Sequence, residues 1–174
     1  APPRRGLPAT TTLAGSTARN SSAGASVGIV EARSLISDGM FRVLDGDESR
    51  FPPHDDARAR AALAGVRRRG EEAQRAALAG DLTVLIGYDL RFWHELGILF
   101  GNLYLAEFLH RLRVQSWVCA VQHLRRLTDL RGALWSGHTD LVDALSHRDT
   151  PRARAIVDGY NAHALALIER MAER

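Results

Sequence analysis

Lysine is absent from this chain, and all 23 of its basic residues are arginine. Together with abundant alanine and leucine, this is more typical of a GC-rich genome than of a phosphate-binding surface. Three of the arginines, Arg4, Arg5 and Arg19, lie in the first 26 residues, which contain no acid, so 20 basic residues face 20 acidic residues in the rest. The neutral body argues against direct nucleic-acid binding by that body.

Cysteine occurs only once, at Cys119, so no disulfide can form within the chain and a reducing cytoplasm suits it. No apolar stretch approaches the roughly 18 residues that are needed to span a bilayer. The chain also begins without the continuous apolar segment of a secretory signal. These absences predict a cytoplasmic protein with no membrane partner.

Residues 1–26 are rich in Pro, Thr, Ser, Ala and Gly and show no periodicity, which predicts a disordered arm or the remnant of a linker. The rest of the chain, 27–174, is long enough for one domain with a substantial core. It shows no sustained alternation of apolar and polar residues, so no strands are predicted. We expect an all-α antiparallel bundle with helices near 27–44, 55–79, 81–99, 102–128, 132–147 and 151–172.

Polar residues occupy core positions in four of the predicted helices. Asp89 is spaced three or four residues from the apolar positions of its helix, so its carboxylate points into a core. The same spacing places Arg33, His138 and Tyr160 inward on three other helices. A cation, a carboxylate, an imidazole and a phenol could satisfy one another in a closed network, or they could line a ligand cavity. The spacing alone leaves both interpretations open.

Motifs of common enzymes are missing from the chain. It contains no Gly-rich phosphate loop, paired-cysteine metal spacing, His-Glu-x-x-His helix or Gly-x-Ser-x-Gly elbow. An Asp and a His in one pocket could exchange protons, but there is no activated nucleophile. We therefore expect no enzymatic activity.

Several short motifs follow one another in a recognisable order between residues 27 and 174. They are Glu31-Ala-Arg33, Gly80-Asp81, Asp89-Leu-Arg-Phe92, Gly101-Asn102, His138-Thr-Asp-Leu-Val-Asp-Ala-Leu145 and Arg148-Asp149. Their order and spacing resemble the effector-binding domain of the FadR branch of GntR-type bacterial transcription regulators, the FCD domain. The resemblance implies a bundle of six to seven helices that binds a small organic acid or similar metabolite in its interior.

The family often has a divalent metal site built from one Asp and three His, and this chain departs from it. The Asp matches Asp89 and the second His matches His138, but the other two positions hold Trp93 and Tyr160. Because an indole cannot ligate a metal and a neutral phenol is a poor ligand, only Asp89 and His138 remain as weak metal candidates. No tight metal site and no other cofactor is expected. The two aromatic residues suit an apolar pocket wall, with Asp89 and His138 as its polar end.

The resemblance therefore predicts a ligand-sensing domain for a small carboxylate, with Arg33, Asp89, Trp93, His138 and Tyr160 as ligand-binding residues. In the family, the arginine that matches Arg33 faces the cavity, where a guanidinium can bind a carboxylate with two hydrogen bonds. His94 and His163 are candidates for the edge of the cavity.

The resemblance also implies a homodimer. DNA would be bound only through a winged helix-turn-helix domain, and the 26 residues before the bundle are too short and irregular to form one. The alternative function, from a different class, is a structural dimerisation domain with a closed buried polar network and no ligand.

Overall fold

The computed structural model describes residues 24–34, residue 37 and residues 57–172. Within these ranges the chain forms helices joined by turns, with no strand, so the all-α prediction is confirmed. Helix α1 covers residues 24–34. The others are α2 (Ala57–Ala79), α3 (Leu82–Leu99), α4 (Leu103–Leu124), α5 (His138–Ser146) and α6 (Thr150–Ala172).

The helices pack as a bundle in which α3 lies between α2 and α4, and α5 lies between α2 and α6. Helix α4 also contacts α6. None of the helices in the described ranges is long and apolar enough to cross a membrane. This arrangement brings one face of each of α3, α4, α5 and α6 towards a shared interior.

Two short turns set the ends of α3, as the sequence predicts. Gly80 has a φ of 74°, a left-handed conformation that favours glycine, and the next residue, Asp81, caps α3 by accepting a hydrogen bond from the backbone N–H of Val84 at 3.0 Å. The turn after α3 repeats this chemistry, because Gly101 has a φ of 80° and Asn102 caps α4. The caps fix where α3 begins and ends, and so fix which of its residues face the interior.

The predicted helix 132–147 is shorter in the structure, where α5 begins only at His138. Residues 125–137 form turns, bends and irregular backbone instead. Gly132 has a φ of 72°, and at Gly137 a Cβ would lie 2.7 Å from the ring of Trp135. These two glycines let the segment fold Trp135 back against the bundle. The apolar spacing of the segment looks helical, but its backbone is not.

Other boundaries differ by a few residues. Helix α4 ends at Leu124, before the predicted residue 128. The arm predicted for 1–26 lies outside the described residues up to residue 23, and residues 24–26 belong to α1. The predicted continuation of the first helix to residue 44 lies outside the described residues, apart from Ser37.

In the described part of the chain, buried apolar side chains form two core clusters. The first cluster joins α2, α3, α5 and α6 and includes Phe92, Leu96, Leu141 and Val157. The second joins α2, α3, α4 and α6 and includes Leu85, Leu124 and Leu167. Asp89 lies on α3 between Leu85 of the second cluster and Phe92 of the first, so its carboxylate lies where the two clusters meet.

Candidate functional site

The carboxylate of Asp89 is at the centre of the site and is 1% exposed. One of its oxygens accepts hydrogen bonds from the indole N–H of Trp93 at 3.1 Å and from Nε2 of His138 at 2.9 Å. The other oxygen accepts from the indole N–H of Trp117 at 2.8 Å. Three N–H donors therefore surround the carboxylate, which explains how an acid is tolerated in the core.

His138 reaches Asp89 because it is the first residue of α5. The N-terminus of this helix has no capping side chain of its own, but Gln74 of α2 accepts hydrogen bonds from the backbone N–H and the hydroxyl of Thr139. Helix α2 approaches closely at Gly70, where a Cβ would lie 3.0 Å from the ring of Phe92 and 3.4 Å from His138. Nε2 of His138 faces the Asp89 carboxylate and donates to it. The other ring nitrogen, Nδ1, is buried and has no hydrogen-bond partner.

Arg33 of α1 enters the same interior and is 1% exposed. Its Nε donates to the side-chain oxygen of Asn161 at 3.0 Å, and its Nη1 lies 3.5 Å from the hydroxyl of Tyr160. The guanidinium also lies over the Tyr160 ring, 4.6 Å from the ring centre. Its Nη2 and the side-chain nitrogen of Asn161 are buried and have no hydrogen-bond partner. These two unpartnered donors are suited to an acceptor such as a carboxylate oxygen.

Tyr160 lies between the cations and the aromatic residues of the site. Burial raises the pKa of its hydroxyl and the nearby Asp89 raises it further, against the opposing effects of Arg33 and Arg113. Tyr160 is therefore a neutral phenol at neutral pH. Because its oxygen accepts from Arg33, its proton can be donated to another acceptor.

Aromatic rings form one wall of the site. The rings of Trp93 and Tyr160 lie 4.6 Å apart between centres and are inclined by 31°. Trp135 packs edge-on against Tyr160 at 4.8 Å and against His138 at 4.5 Å. Such a wall provides a flat apolar surface while the indole and phenol groups retain hydrogen-bonding capacity.

A second buried cation, Arg113 of α4, packs against this wall at Trp93. It is 4% exposed, and its guanidinium lies 4.5 Å from the centre of the Trp93 ring. Burial lowers its pKa to about 10, while Tyr160 and Asp89 favour the charged form, so it is protonated at neutral pH. Its Nε is buried without a partner.

Two cavities open beside these residues. The first, which we call the Asp89 cavity, provides about 50 Å³ of space for the centre of a water-sized sphere and is lined by Arg33, Asp89, Trp117, Trp135, Tyr160 and His163. The second, the Arg113 cavity, provides about 30 Å³ and is lined by Ser37, Trp93, Phe100, Arg113 and aliphatic residues. About 10–15 Å³ on this scale holds one water molecule. The Asp89 cavity therefore has room for a small group.

The structure brings the five predicted ligand-binding residues together in one network. Arg33 contacts Tyr160, Tyr160 stacks on Trp93, and both Trp93 and His138 donate to Asp89. The two predicted edge residues separate. His163 lines the Asp89 cavity, whereas His94 points to α4, where its Nε2 lies 2.7 Å from the Glu107 carboxylate.

Sequence reasoning missed Arg113, Trp117, Trp135 and Asn161. The signal for Arg113 was present, because it lies four residues after Leu109 and three before Ser116 on the buried face of α4. That signal was obscured because α4 also carries apolar side chains on its exposed face. Trp135 had no usable signal, since its position depends on the non-helical backbone of 125–137.

The donor set does not fit the divalent metal site that the resemblance implies. Both oxygens of Asp89 already accept N–H donors, and the positions for two of the histidines hold Trp93 and Tyr160. Among the described residues, no group of three or more His, Cys, Asp or Glu side chains could hold a metal ion. No step involving a metal is therefore assigned to this site.

Comparison with protein families identifies the family of this helical bundle. The model of the FCD domain matches residues 50–163, which is more than half of the chain, so the chain belongs to the FCD family. FCD domains are the C-terminal effector-binding domains of GntR-family transcription regulators, which are not enzymes. No curated protein and no solved structure gave a match.

Proposed function

We propose that this domain senses a small carboxylate-containing metabolite that binds in the Asp89 cavity and so controls the DNA binding of a regulator of the FadR branch. Binding would favour one relative orientation of two paired subunits, and so one spacing of their DNA-reading domains. Since such a regulator acts on DNA, we place it in the bacterial cytoplasm. DNA contacts are assigned to a winged helix-turn-helix domain and not to this bundle.

The charge of the buried residues carries this proposal. Arg33 and Arg113 are both at most 4% exposed, and Asp89 is the only buried carboxylate among the described residues. The two arginines alone thus set two positive charges against one carboxylate, in a region where an uncompensated charge costs several kcal/mol. One added carboxylate would balance the site.

The unpartnered donors indicate where that carboxylate would bind. Nη2 of Arg33 and the amide nitrogen of Asn161 belong to two side chains that are already joined, because Nε of the arginine donates to the amide oxygen of Asn161. The phenol proton of Tyr160 is a third donor. The ligand's apolar part would lie against Trp135, whose ring centre is 4.8 Å from that of Tyr160 and 5.9 Å from that of Trp93, so the three rings form one continuous wall.

An exposed apolar face on α4 favours pairing with a second copy of the chain. Tyr104 is 91% exposed, Val118 63% and Phe108 43%, and the three recur at helical spacing on the outer side of the helix. An apolar face of this kind on a soluble domain marks an interaction surface. We propose that it forms a homodimer interface, which would link ligand binding in the bundle to subunit orientation.

Thermal unfolding with a panel of small carboxylates tests the proposed function. The panel contains acetate, lactate, succinate and benzoate, and the proteins are the wild type, Arg33→Met and, as a matched control, Arg91→Met at an exposed position of the same charge. A ligand at a hundredfold excess over its Kd stabilises the folded state by about 2.7 kcal/mol. For a chain of this size that raises Tm by about 5–10 °C.

We expect at least one carboxylate to raise Tm for the wild type and Arg91→Met but not for Arg33→Met. The closed-network alternative predicts the opposite pattern. In that case no carboxylate would raise Tm, and Arg33→Met would itself be strongly destabilised because it removes one member of a satisfied network.

A further inference from the structure

Arg113 occupies an unusual position for a structural residue. It is almost fully buried, yet its Nε has no partner, and among the described residues no carboxylate forms an ion pair with it. Its guanidinium lies 4.5 Å from the ring centre of Trp93, the residue that stands in place of a metal-ligating histidine of the family pattern. A cation therefore lies beside the position where a divalent metal would otherwise supply positive charge.

The neighbouring residues favour a guanidinium and disfavour a metal. Trp93 turns its indole N–H towards Asp89 and its ring face towards Arg113. An indole ring face attracts a cation but cannot coordinate a metal ion. The Tyr160 hydroxyl interacts with Arg113 and also lies 3.5 Å from Nη1 of Arg33. Both cations therefore act on the same phenol oxygen.

We propose that Arg113 replaces the metal ion of this site, so that its guanidinium and that of Arg33 together provide the positive charge that attracts an anion. Arg33 contacts the anion directly, whereas Arg113 is a positioning residue that acts through Tyr160. Arg113 donates to the phenol oxygen of Tyr160, so the phenol proton can be donated to the ligand. Two buried guanidinium groups face the single buried carboxyl group of Asp89, so one further carboxylate would match their number, which selects a small monocarboxylate. This inference rests on the proposed function for the choice of ligand, but the replacement of the metal can be tested without any ligand.

The first experiment measures metal binding with Zn²⁺ alone. Wild type, Trp93→His/Tyr160→His and Asp89→Asn are purified without chelators, saturated with Zn²⁺ and desalted, and their metal content and Tm are measured. His94→Ala serves as a control for binding at the surface pair of His94 and Glu107. We expect less than a tenth of an equivalent of zinc in the wild type and about one equivalent in the double variant, with a Zn²⁺-dependent rise in Tm only in the latter.

The second experiment measures Tm of Arg113→Met and Arg113→Lys in a buffer without carboxylates. If Arg113 carries an uncompensated charge for an anion, its replacement by an apolar side chain of similar length removes that charge, and Arg113→Met should melt no lower than the wild type. With acetate or benzoate, the wild type should gain stability that EDTA does not remove. Arg113→Met should lose most of this gain and Arg113→Lys should recover part of it.

Three results would overturn the inference. They are stoichiometric zinc in the wild type that Asp89→Asn abolishes, a carboxylate response that requires Zn²⁺, and an unliganded Arg113→Met that unfolds far below the wild type. Failure of the proposed function looks different. In that case no carboxylate would stabilise any variant, while the zinc contents and the unliganded Tm values would still decide whether Arg113 stands in place of a metal.

Discussion

Replacement of Asp89 by asparagine tests the physical account of the buried network. The carboxylate accepts three N–H donors, two on one oxygen and one on the other. An asparagine keeps only one oxygen, so in either orientation its amide NH2 faces at least one N–H donor. The substitution also removes the one negative charge that faces the buried cations Arg33 and Arg113.

The expected loss of stability follows from these two effects. A hydrogen bond to a charged group contributes about 1.5–3 kcal/mol, and removal of one partner of a buried charge pair costs about 3–5 kcal/mol. Because the same atoms take part in both effects, the two ranges do not add. We expect Asp89→Asn to lower the free energy of unfolding by about 3–5 kcal/mol, which corresponds to a fall in Tm of about 10 °C.

Urea unfolding followed by far-UV circular dichroism provides the measurement. The control is Asp158→Asn, which makes the same chemical change at an exposed position of α6 and should alter stability by less than about 0.5 kcal/mol. The slope of the free energy against urea concentration should be similar for all three proteins, since the fold is retained. A loss below about 1 kcal/mol for Asp89→Asn would refute both the hydrogen-bond and the charge-balance account.

Three further predictions concern helix packing at glycine, the exposed face of α4 and the pH dependence of stability. Gly70→Ala places a methyl group 3.0 Å from the buried ring of Phe92 and should destabilise by about 1–3 kcal/mol in urea unfolding, whereas Gly87→Ala, with open space around it, should stabilise by about 0.5–1 kcal/mol. Val118→Glu on the exposed face of α4 should convert dimers to monomers in analytical ultracentrifugation without unfolding them, and dimers that persist would reject that face as the interface. Burial lowers the pKa of His163, so the unfolded chain takes up a proton first as the pH falls below about 6.5, and stability should decrease from about pH 7.5 to about pH 5.5. His163→Gln should reduce this decrease, and an unchanged pH profile would show that His163 does not contribute to it.

The starts of α3 and α4 were predictable because they are set locally. Asp81 and Asn102 cap α3 and α4 as their residue types and the preceding glycines indicate. The apolar spacing around Asp89 also predicted correctly that its side chain is buried. Local chemistry and the period of the helix contain this information, so a single sequence is sufficient.

The parts of the site that were not predictable depend on contacts between distant segments. Trp135 reaches the cavity only because Gly132 and Gly137 allow the chain to turn back, and the apolar pattern of 132–147 resembles a helix. Arg113 lies on a helix that is apolar on more than one side, so periodicity does not identify its buried face. The three donors to Asp89 come from α3, α4 and α5, and no sequence spacing specifies that they meet.

All three tryptophans of the chain belong to this one small region. Trp93 and Trp117 donate to Asp89, and Trp135 lines the Asp89 cavity. The tryptophan fluorescence of the protein therefore originates entirely from the site, with no background from the rest of the bundle. Any ligand that disturbs the Asp89 carboxylate or displaces Trp135 would change the emission of an unlabelled sample. Ligand binding can therefore be followed by intrinsic tryptophan fluorescence.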